Sequence, residues 1–183
     1  SPAIMNEEER FHNYSVKLDE LSREINENVG DHKVLVFSQF LGMLALIRKK
    51  LEDDGIPHVY FDGSSSSKER EEAIQEFQNN HGCRVFLISL KAGGIGLNLT
   101  AADYVYIVDP WWNPAVEQQA IDRTHRIGQT KNIFAYRLIC KDTLEEKMLQ
   151  LQEHKRALAA DLVSDDTAMM KRLTKDDIAF LFS

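Results

Sequence analysis

Short apolar runs alternate with amphipathic stretches along the chain. Runs that are short and rich in β-branched or aromatic residues are typical of strands, and five of them lie at 33–38, 58–63, 83–90, 104–109 and 133–140. The stretches between them repeat apolar residues at helical spacing or carry helix-start signals, and they predict helices at 7–29, 40–55, 64–80, 114–128, 143–163 and 174–182. In the first helix, the predicted core face carries Val16, Leu18, Leu21 and Ile25.

Residues at the ends of the predicted helices support their boundaries. Gly55 stands where a helix commonly ends in a left-handed residue. Ser66 and Glu69 have the spacing of a capping box, in which each side chain accepts a hydrogen bond from the other residue's backbone N–H. Thr174 is the predicted N-cap of the last helix.

The order of strands and helices predicts an α/β fold. Several strands are apolar throughout, as expected when helices cover both faces of a parallel sheet. We therefore expect three layers, αβα, around a mainly parallel sheet. Ligands of such sheets bind beyond the carboxyl ends of the strands, here the loops that follow Ser38, Asp62, Leu90, Asp109 and Cys140.

Composition limits the possible classes of protein. The 183 residues are 43% hydrophobic and 28% charged, which is ordinary for a soluble globular domain. The net charge of −7 argues against a general nucleic-acid binder with a basic face, although a local phosphate-binding track is compatible with it. Cys83 and Cys140 suit buried thiols in a reducing compartment. Without a signal-peptide pattern or a run long enough to cross a membrane, we expect an intracellular protein.

Metal and hydrolase patterns are absent from the sequence. The six histidines are scattered, and neither C-x-x-C nor G-x-S-x-G occurs. We therefore predict no metal site on this chain.

A glycine-rich loop follows the third predicted strand. Gly93, Gly94 and Gly96 remove three Cβ atoms within four residues, and Lys91 adds a positive charge. Such a loop lets backbone N–H groups approach a phosphate closely. A tight turn explains the glycines equally well.

The stretch EQQAIDRTHRIGQT places Gln119, Arg123 and Arg126 on one helix face. Arginine forks suit phosphate oxygens. The alternative is structural, because Asp122 and Arg126 have the spacing of a surface pair and Gly128 suits a helix end. Both interpretations stay open at this point.

Two further loops carry weaker signals. The VDPWWNP stretch contains Trp111 and Trp112, which suit either a buried aromatic plug or contact with a partner or a base. Ser38, Gln39 and the serine run at 64–67 stand at strand ends, where hydroxyl and backbone N–H groups could bind phosphates. Helix capping is the simpler explanation for each of these alone.

Taken in order, these motifs resemble a known family. KVLVFSQF, DGSSSSKER, SLKAGGIGLNLTAADYVYIVDPWWNP, QQAIDRTHRIGQTK and YRLICKDTLEEKM together resemble the second motor lobe of the SWI/SNF-like chromatin-remodelling ATPases, which belong to helicase superfamily two. The resemblance extends from about residue 15 to residue 163. It implies a helical lead-in at 1–29, a RecA-like lobe at 30–142, and a brace helix with a tail segment at 143–183.

The resemblance also implies a nucleotide site shared between two lobes. The phosphate-binding loop and the magnesium carboxylates of the family lie on a separate first lobe, and no G-x-x-x-x-G-K-[ST] occurs in this chain. ATP with Mg²⁺ is then held mainly by that lobe, while Arg123 and Arg126 take arginine-finger positions with Gln119 beside them. Gly96 and Asn98 match a motif near the nucleotide. This chain alone is expected to hydrolyse no ATP.

For the nucleic acid, the resemblance implies that loops at the strand ends grip the backbone of double-stranded DNA. The matching positions are Ser38, Gln39, Arg70, Lys91, Gly93, Gly94 and Trp112. Nucleosomes or other DNA-bound proteins become candidate partners, besides the first lobe. The expected location is the nucleus in a eukaryote, or the cytoplasm and nucleoid in a bacterium. Two alternatives stay open: a lobe of a strand-separating RNA or DNA helicase, and a nucleic-acid-binding domain without ATPase activity.

Overall fold

A computed structural model of the chain describes residues 7–92, 99–109, 121, 132–139, 146–147, 149–151, 153, 175–176 and 180, with side chains from residue 15 onward. The helices are α1 (Glu7–Arg23), which continues into a π-helical turn (Glu24–Asn28), α2 (Leu41–Asp53) and α3 (Ser67–Asn79). The strands are β1 (Lys33–Ser38), β2 (His58–Phe61), β3 (Val85–Ser89), β4 (Ala102–Ile107) and β5 (Phe134–Arg137). The predicted helices at 114–128, 143–163 and 174–182 lie mostly outside the described residues, and those of their residues that are described are helical.

The five strands form one parallel sheet in the order β2-β3-β1-β4-β5. Their carboxyl ends are nearly flush, because one row of paired residues crosses all five strands: Phe61, Ile88, Phe37, Ile107 and Arg137. The loops that follow this row therefore share one edge. The predicted α/β class and the αβα layering are confirmed.

Two hydrophobic cores lie on opposite faces of the sheet, because successive side chains of a strand point to opposite sides. In β1, Val34 and Val36 pack with residues of α1 and α2, whereas Leu35 and Phe37 pack with residues of α3. Both β1 and β3 are buried along their whole length, as the apolar runs predicted. The edge strand β5 is largely exposed.

Helix α1 belongs to the same core as the sheet. Leu21, Ile25 and Val29 are buried at intervals of four residues, and Lys17 continues this stripe toward the N-terminus. The predicted core position Val16 is wrong, since this side chain is 50% exposed. Residues 15–29, predicted as a lead-in before the lobe, thus pack directly against it.

The π-helical turn explains how the stripe stays aligned. Four residues overshoot one turn of an α-helix by roughly 40°, so a repeat of four drifts around the helix. The backbone N–H of Val29 donates to Glu24 O at 3.0 Å, five residues back. This wider turn keeps Val29 on the buried side with Ile25.

The predicted helix ends are confirmed where the structure describes them. Ser66 Oγ accepts from Glu69 N at 3.2 Å, and Ser66 N donates to Glu69 Oε2 at 2.6 Å, which completes the capping box. Gly55 follows α2 with φ of +67°, a left-handed conformation that glycine adopts without strain. The predicted strand β4 is shifted, because Ala102 already pairs with Lys33.

A buried lysine lies at the opposite edge of the sheet, where β1 begins, and bonds to the end of α3. Lys33 Nζ donates to Asn80 O at 2.7 Å, to Cys83 O at 2.9 Å and to Phe77 O. These carbonyls lie at or just beyond the C-terminus of α3, where a cation is favourable. Burial lowers the pKa of Lys33 and raises that of the neighbouring Cys83 thiol. Cys83 is free and buried, as predicted.

Candidate functional site at the carboxyl edge of the sheet

The carboxyl edge brings together four of the residues predicted to bind nucleic acid. Ser38 ends β1 and Gln39 follows it. Lys91 follows β3, and Arg70 lies in the first turn of α3. The backbone N–H of Leu90 donates to Ser38 O at 3.0 Å, which holds the ends of β1 and β3 side by side.

Ser38 is fully buried and takes part in a polar network. Its hydroxyl donates to Asp109 Oδ2, and its oxygen accepts from Phe40 N at 3.1 Å. On the other side of Asp109, Lys17 Nζ lies 3.5 Å from Oδ1 and donates to Val108 O at 2.8 Å. The Lys17 and Asp109 side chains are only 3% and 2% exposed. The network therefore joins α1 to the ends of β1 and β4.

Gln39 comes next in the chain and has a buried side chain. Its Nε2 has no hydrogen-bond partner within the part of the chain that the structure describes. An amide donor of this kind is available to an anionic oxygen, because leaving it unpaired costs free energy. Phe40, beside it, is 49% exposed.

A second polar cluster fixes the turn between β2 and α3. Asp62 accepts from Ser64 N at 2.8 Å, from Ser64 Oγ at 2.6 Å and from Tyr60 OH at 2.5 Å. The hydrogen bonds from Ser64 and Tyr60 lower the pKa of Asp62. Burial, with Asp62 as the second cause, raises the pKa of Tyr60 to about 12. Ser65 Oγ accepts from Asp62 N at 3.1 Å, so these serines shape the turn itself.

The cationic groups lie at the outer part of the edge. The Arg70 guanidinium carbon lies 5.5 Å from the centroid of the Phe61 ring, a distance at which a cation is attracted to the ring face. Lys91 is exposed. Amide, ammonium and guanidinium donors suit phosphate oxygens. Asp62 accepts hydrogen bonds within the edge, and Asp109 accepts one at Oδ2, while Asp109 Oδ1 has no hydrogen-bond partner among the described residues. The described edge therefore carries donor groups of the kinds that phosphate oxygens accept from.

The other predicted site residues lie outside the described residues: Gly93, Gly94, Gly96, Asn98, Trp112, Gln119, Arg123 and Arg126. Among described residues, no group of His, Cys, Asp and Glu could hold a metal ion. Nor does any described helix have the length and apolar character needed to cross a membrane.

Sequence reasoning missed Lys17, Asp109 and Asp62 as structural parts of the edge. Lys17 could have been found from its spacing, since it lies four residues before Leu21 in the buried stripe. Asp62 directly follows β2, and Asp109 comes two residues after the end of β4, positions at which an acidic side chain reaches the edge. Nothing local in the sequence indicates that Lys17 and Asp109 meet.

Comparison with known proteins agrees with this architecture. The sequence profile of the helicase conserved C-terminal domain matches residues 16–128. The DNA repair protein rad8 of Schizosaccharomyces pombe is 43% identical over 172 residues, which are 92% of this chain. The chain spans only 15% of the length of that relative.

Solved structures show the same relationship. The SWI2/SNF2 ATPase C-terminal domain of Sulfolobus solfataricus is 32% identical, with a TM-score of 0.68 over 91% of this chain and 68% of that one. The SWI2/SNF2 ATPase core of Sulfolobus solfataricus, solved in complex with dsDNA, is 33% identical, with a TM-score of 0.69 over 93% of this chain and 35% of that one. The chain belongs to the helicase conserved C-terminal domain family and, within it, is a SWI2/SNF2-like C-terminal lobe.

Proposed function

We propose that the chain is the second motor lobe of an ATP-driven translocase on double-stranded DNA, of the chromatin-remodelling type. The observation that carries the proposal is the likeness to the Sulfolobus solfataricus core solved in complex with dsDNA, which extends over 93% of this chain. The donors collected at the carboxyl edge support it, because they suit a phosphate backbone. In this proposal the first lobe belongs to the same longer protein, and nucleosomes or other DNA-bound proteins are its substrates or partners.

The DNA grip uses donors from several loops of the edge. Gln39, Arg70 and Lys91 contact backbone phosphates, together with Gly93, Gly94 and Trp112 of the neighbouring loops. Ser38 is buried and bonded to Asp109, so we assign it to holding Gln39 in place rather than to direct contact. Phosphate contacts give grip without sequence recognition, and binding by this lobe is weak and steeply dependent on salt.

The nucleotide is held mainly by the first lobe, with Mg²⁺, and this lobe completes the site. Arg123 and Arg126 act as arginine fingers on the γ-phosphate, Gln119 lies beside them, and Gly96 and Asn98 contact the nucleotide. Cationic forks stabilise the charge of a transferring phosphoryl group. Closure of the two lobes around ATP and their opening after hydrolysis then move the duplex stepwise.

The test uses the full-length protein with Arg123→Ala and Arg126→Ala. Each substitution should lower DNA-stimulated turnover by about 10³-fold or more and leave the affinity for ATP within a few-fold. Arg84→Ala is the matched control, because Arg84 bonds Gly30 O near the amino ends of the strands, away from the proposed site. Equal losses of affinity and turnover, or turnover near that of the wild type, would reject the arginine-finger assignment.

Two simpler measurements complete the test. The isolated chain should show no ATP turnover above background, and turnover that survives both arginine substitutions would contradict the two-lobe site. The full-length protein should displace a third strand from duplex DNA without separating the duplex. Efficient duplex unwinding would favour a strand-separating helicase instead.

A further inference from the structure

The network around Asp109 joins elements that are far apart in the sequence. Lys17 donates to Val108 O, a residue 91 positions away, at 2.8 Å and lies 3.5 Å from Asp109 Oδ1. Asp109 accepts from Ser38, 71 positions away, whose oxygen accepts from Phe40 N at 3.1 Å. A continuous path of polar contacts therefore runs from α1, across the end of β4, to the residue before α2.

This path includes the residues immediately before and after Gln39 in the chain. The residues on both sides of Gln39 are fixed, Ser38 by Asp109 and Phe40 by Ser38. The backbone that carries the Gln39 side chain is therefore linked to the Asp109 carboxylate. That carboxylate is set in turn by Lys17, the described cation that pairs with it.

A buried ion pair contributes little net stability compared with apolar side chains of the same volume, because both charges must leave water. Apolar side chains at both positions would remove this desolvation cost, whereas Lys17→Met alone leaves the buried Asp109 carboxylate without the charge of Lys17. Lys17 Nζ is held by its 2.8 Å hydrogen bond to Val108 O, which keeps a positive charge 3.5 Å from Asp109 Oδ1. That oxygen has no hydrogen-bond partner among the described residues, so the attraction to the nearby charge favours one position of the carboxylate. Positioning is therefore the role that the geometry favours.

We propose that Lys17 is a positioning residue of the nucleic-acid edge, which orients Gln39 and the start of the loop after β4 through Asp109. Helix α1 then contributes to the nucleic-acid edge through Lys17, in addition to packing in the core. The consequence for DNA rests on the proposed function, but the effect on the two loops does not. The test separates these two statements.

The first arm measures the loop after β4 in the isolated chain. Trp111 and Trp112 are the chain's two tryptophans and follow Asp109 by two and three positions, so intrinsic fluorescence reports on this loop. Lys17→Met should shift the emission maximum and change the acrylamide quenching constant at temperatures well below its unfolding midpoint. Lys33→Met is the matched control, because Lys33 is also buried but lies at the amino end of β1. It should lower stability and leave both fluorescence values unchanged.

The second arm measures DNA-stimulated and basal ATP turnover of the full-length protein. Lys17→Met should lower the ratio of the DNA-stimulated rate to the basal rate by about tenfold or more, the scale of a misplaced contact group. Ser38→Ala keeps the ion pair and interrupts the path to Phe40, so it should lower the same ratio even if Lys17→Met does not fold.

The outcomes are distinct. Wild-type fluorescence in folded Lys17→Met, or the same fluorescence shift in Lys33→Met, would overturn the positioning role. With a wild-type protein that DNA stimulates, unchanged stimulation in both Lys17→Met and Ser38→Ala would overturn it as well. A wild-type protein without DNA stimulation would reject the proposed function, and the fluorescence comparison would still decide the role of Lys17.

Discussion

Two aspartates at the same edge of the sheet are held in opposite ways. Asp62 follows β2 and is bonded to Tyr60 and Ser64, both two positions away in the chain. Asp109 follows β4, forms an ion pair with Lys17 and accepts a hydrogen bond from Ser38, and both partners are far away in sequence. One carboxylate organises a local turn, whereas the other connects three separate elements.

The comparison shows that the same residue type at the same edge of the sheet can stabilise either a single turn or the packing of several elements. The turn at Asp62 uses only neighbouring residues, so it can form as soon as β2 and the start of α3 are present. The network at Asp109 requires α1, β1 and β4 to be packed. Its loss should therefore affect the whole domain, whereas loss of the Asp62 cluster should remain local.

The largest expected effect is that of Asp109→Asn. The substitution keeps the shape of the side chain but removes the negative charge that lies 3.5 Å from the buried Lys17 Nζ. Removing one partner of a buried ion pair costs about 3–5 kcal/mol, and we expect a loss of that order in the free energy of unfolding. Urea denaturation followed by circular dichroism measures it, with Lys17→Met,Asp109→Asn as the second variant. If the double variant is no more stable than Asp109→Asn, the loss of stability does not come from the buried charge of Lys17.

Asp62→Asn is the same substitution at the local site, and we expect a smaller loss. The hydrogen bonds from Tyr60 and Ser64 go to a charged acceptor, for which about 1.5–3 kcal/mol each is an upper range. Asparagine retains one acceptor oxygen, so only part of this is lost. A loss equal to or larger than that of Asp109→Asn would remove the contrast between the two sites.

The wild type and Asp62→Asn should also differ in how their free energy of unfolding depends on pH. The folded pKa of Asp62 is lowered from 3.8, so the unfolded chain binds its proton first as pH falls. This contribution to stability is present above pH 3.8 and is lost as pH falls through the folded pKa. The free energy of unfolding of Asp62→Asn should therefore decline less steeply below about pH 4 than that of the wild type. Parallel acid-denaturation curves would contradict the assigned hydrogen bonds.

The smallest expected effect is that of Ser66→Ala, which removes the N-cap of α3. Loss of such a cap costs about 1 kcal/mol, and the capping box shows that Ser66 is the residue concerned. Ser67→Ala, one position further and exposed, is the control and should change stability by about 0.5 kcal/mol or less. Thermal unfolding measures both. Equal effects would place the start of the helix elsewhere.

The same division explains which parts of the structure were predictable. The capping box at Ser66 and the left-handed Gly55 depend on neighbouring residues, and the sequence predicted both. The buried strands β1 and β3 were predicted because sheets covered on both faces select continuous apolar runs. Val16 was misassigned because a helical period fixes spacing but not which of two adjacent residues faces the core. Its neighbour Lys17 looked like a solvated residue until the sheet was in place.

Local pattern, spacing and residue type were enough to determine the α/β class, most strand positions, the helix ends and the set of loops at the carboxyl edge. Only the tertiary structure decided the strand order, the burial of Lys17 and its pairing with Asp109, and the position of Ser38 inside the network rather than on the surface. The physical reason is the separation in sequence between the residues that interact. A cap or a turn is stabilised by residues a few positions apart, whereas a buried charge is tolerated only where packing brings its partner from a distant part of the chain.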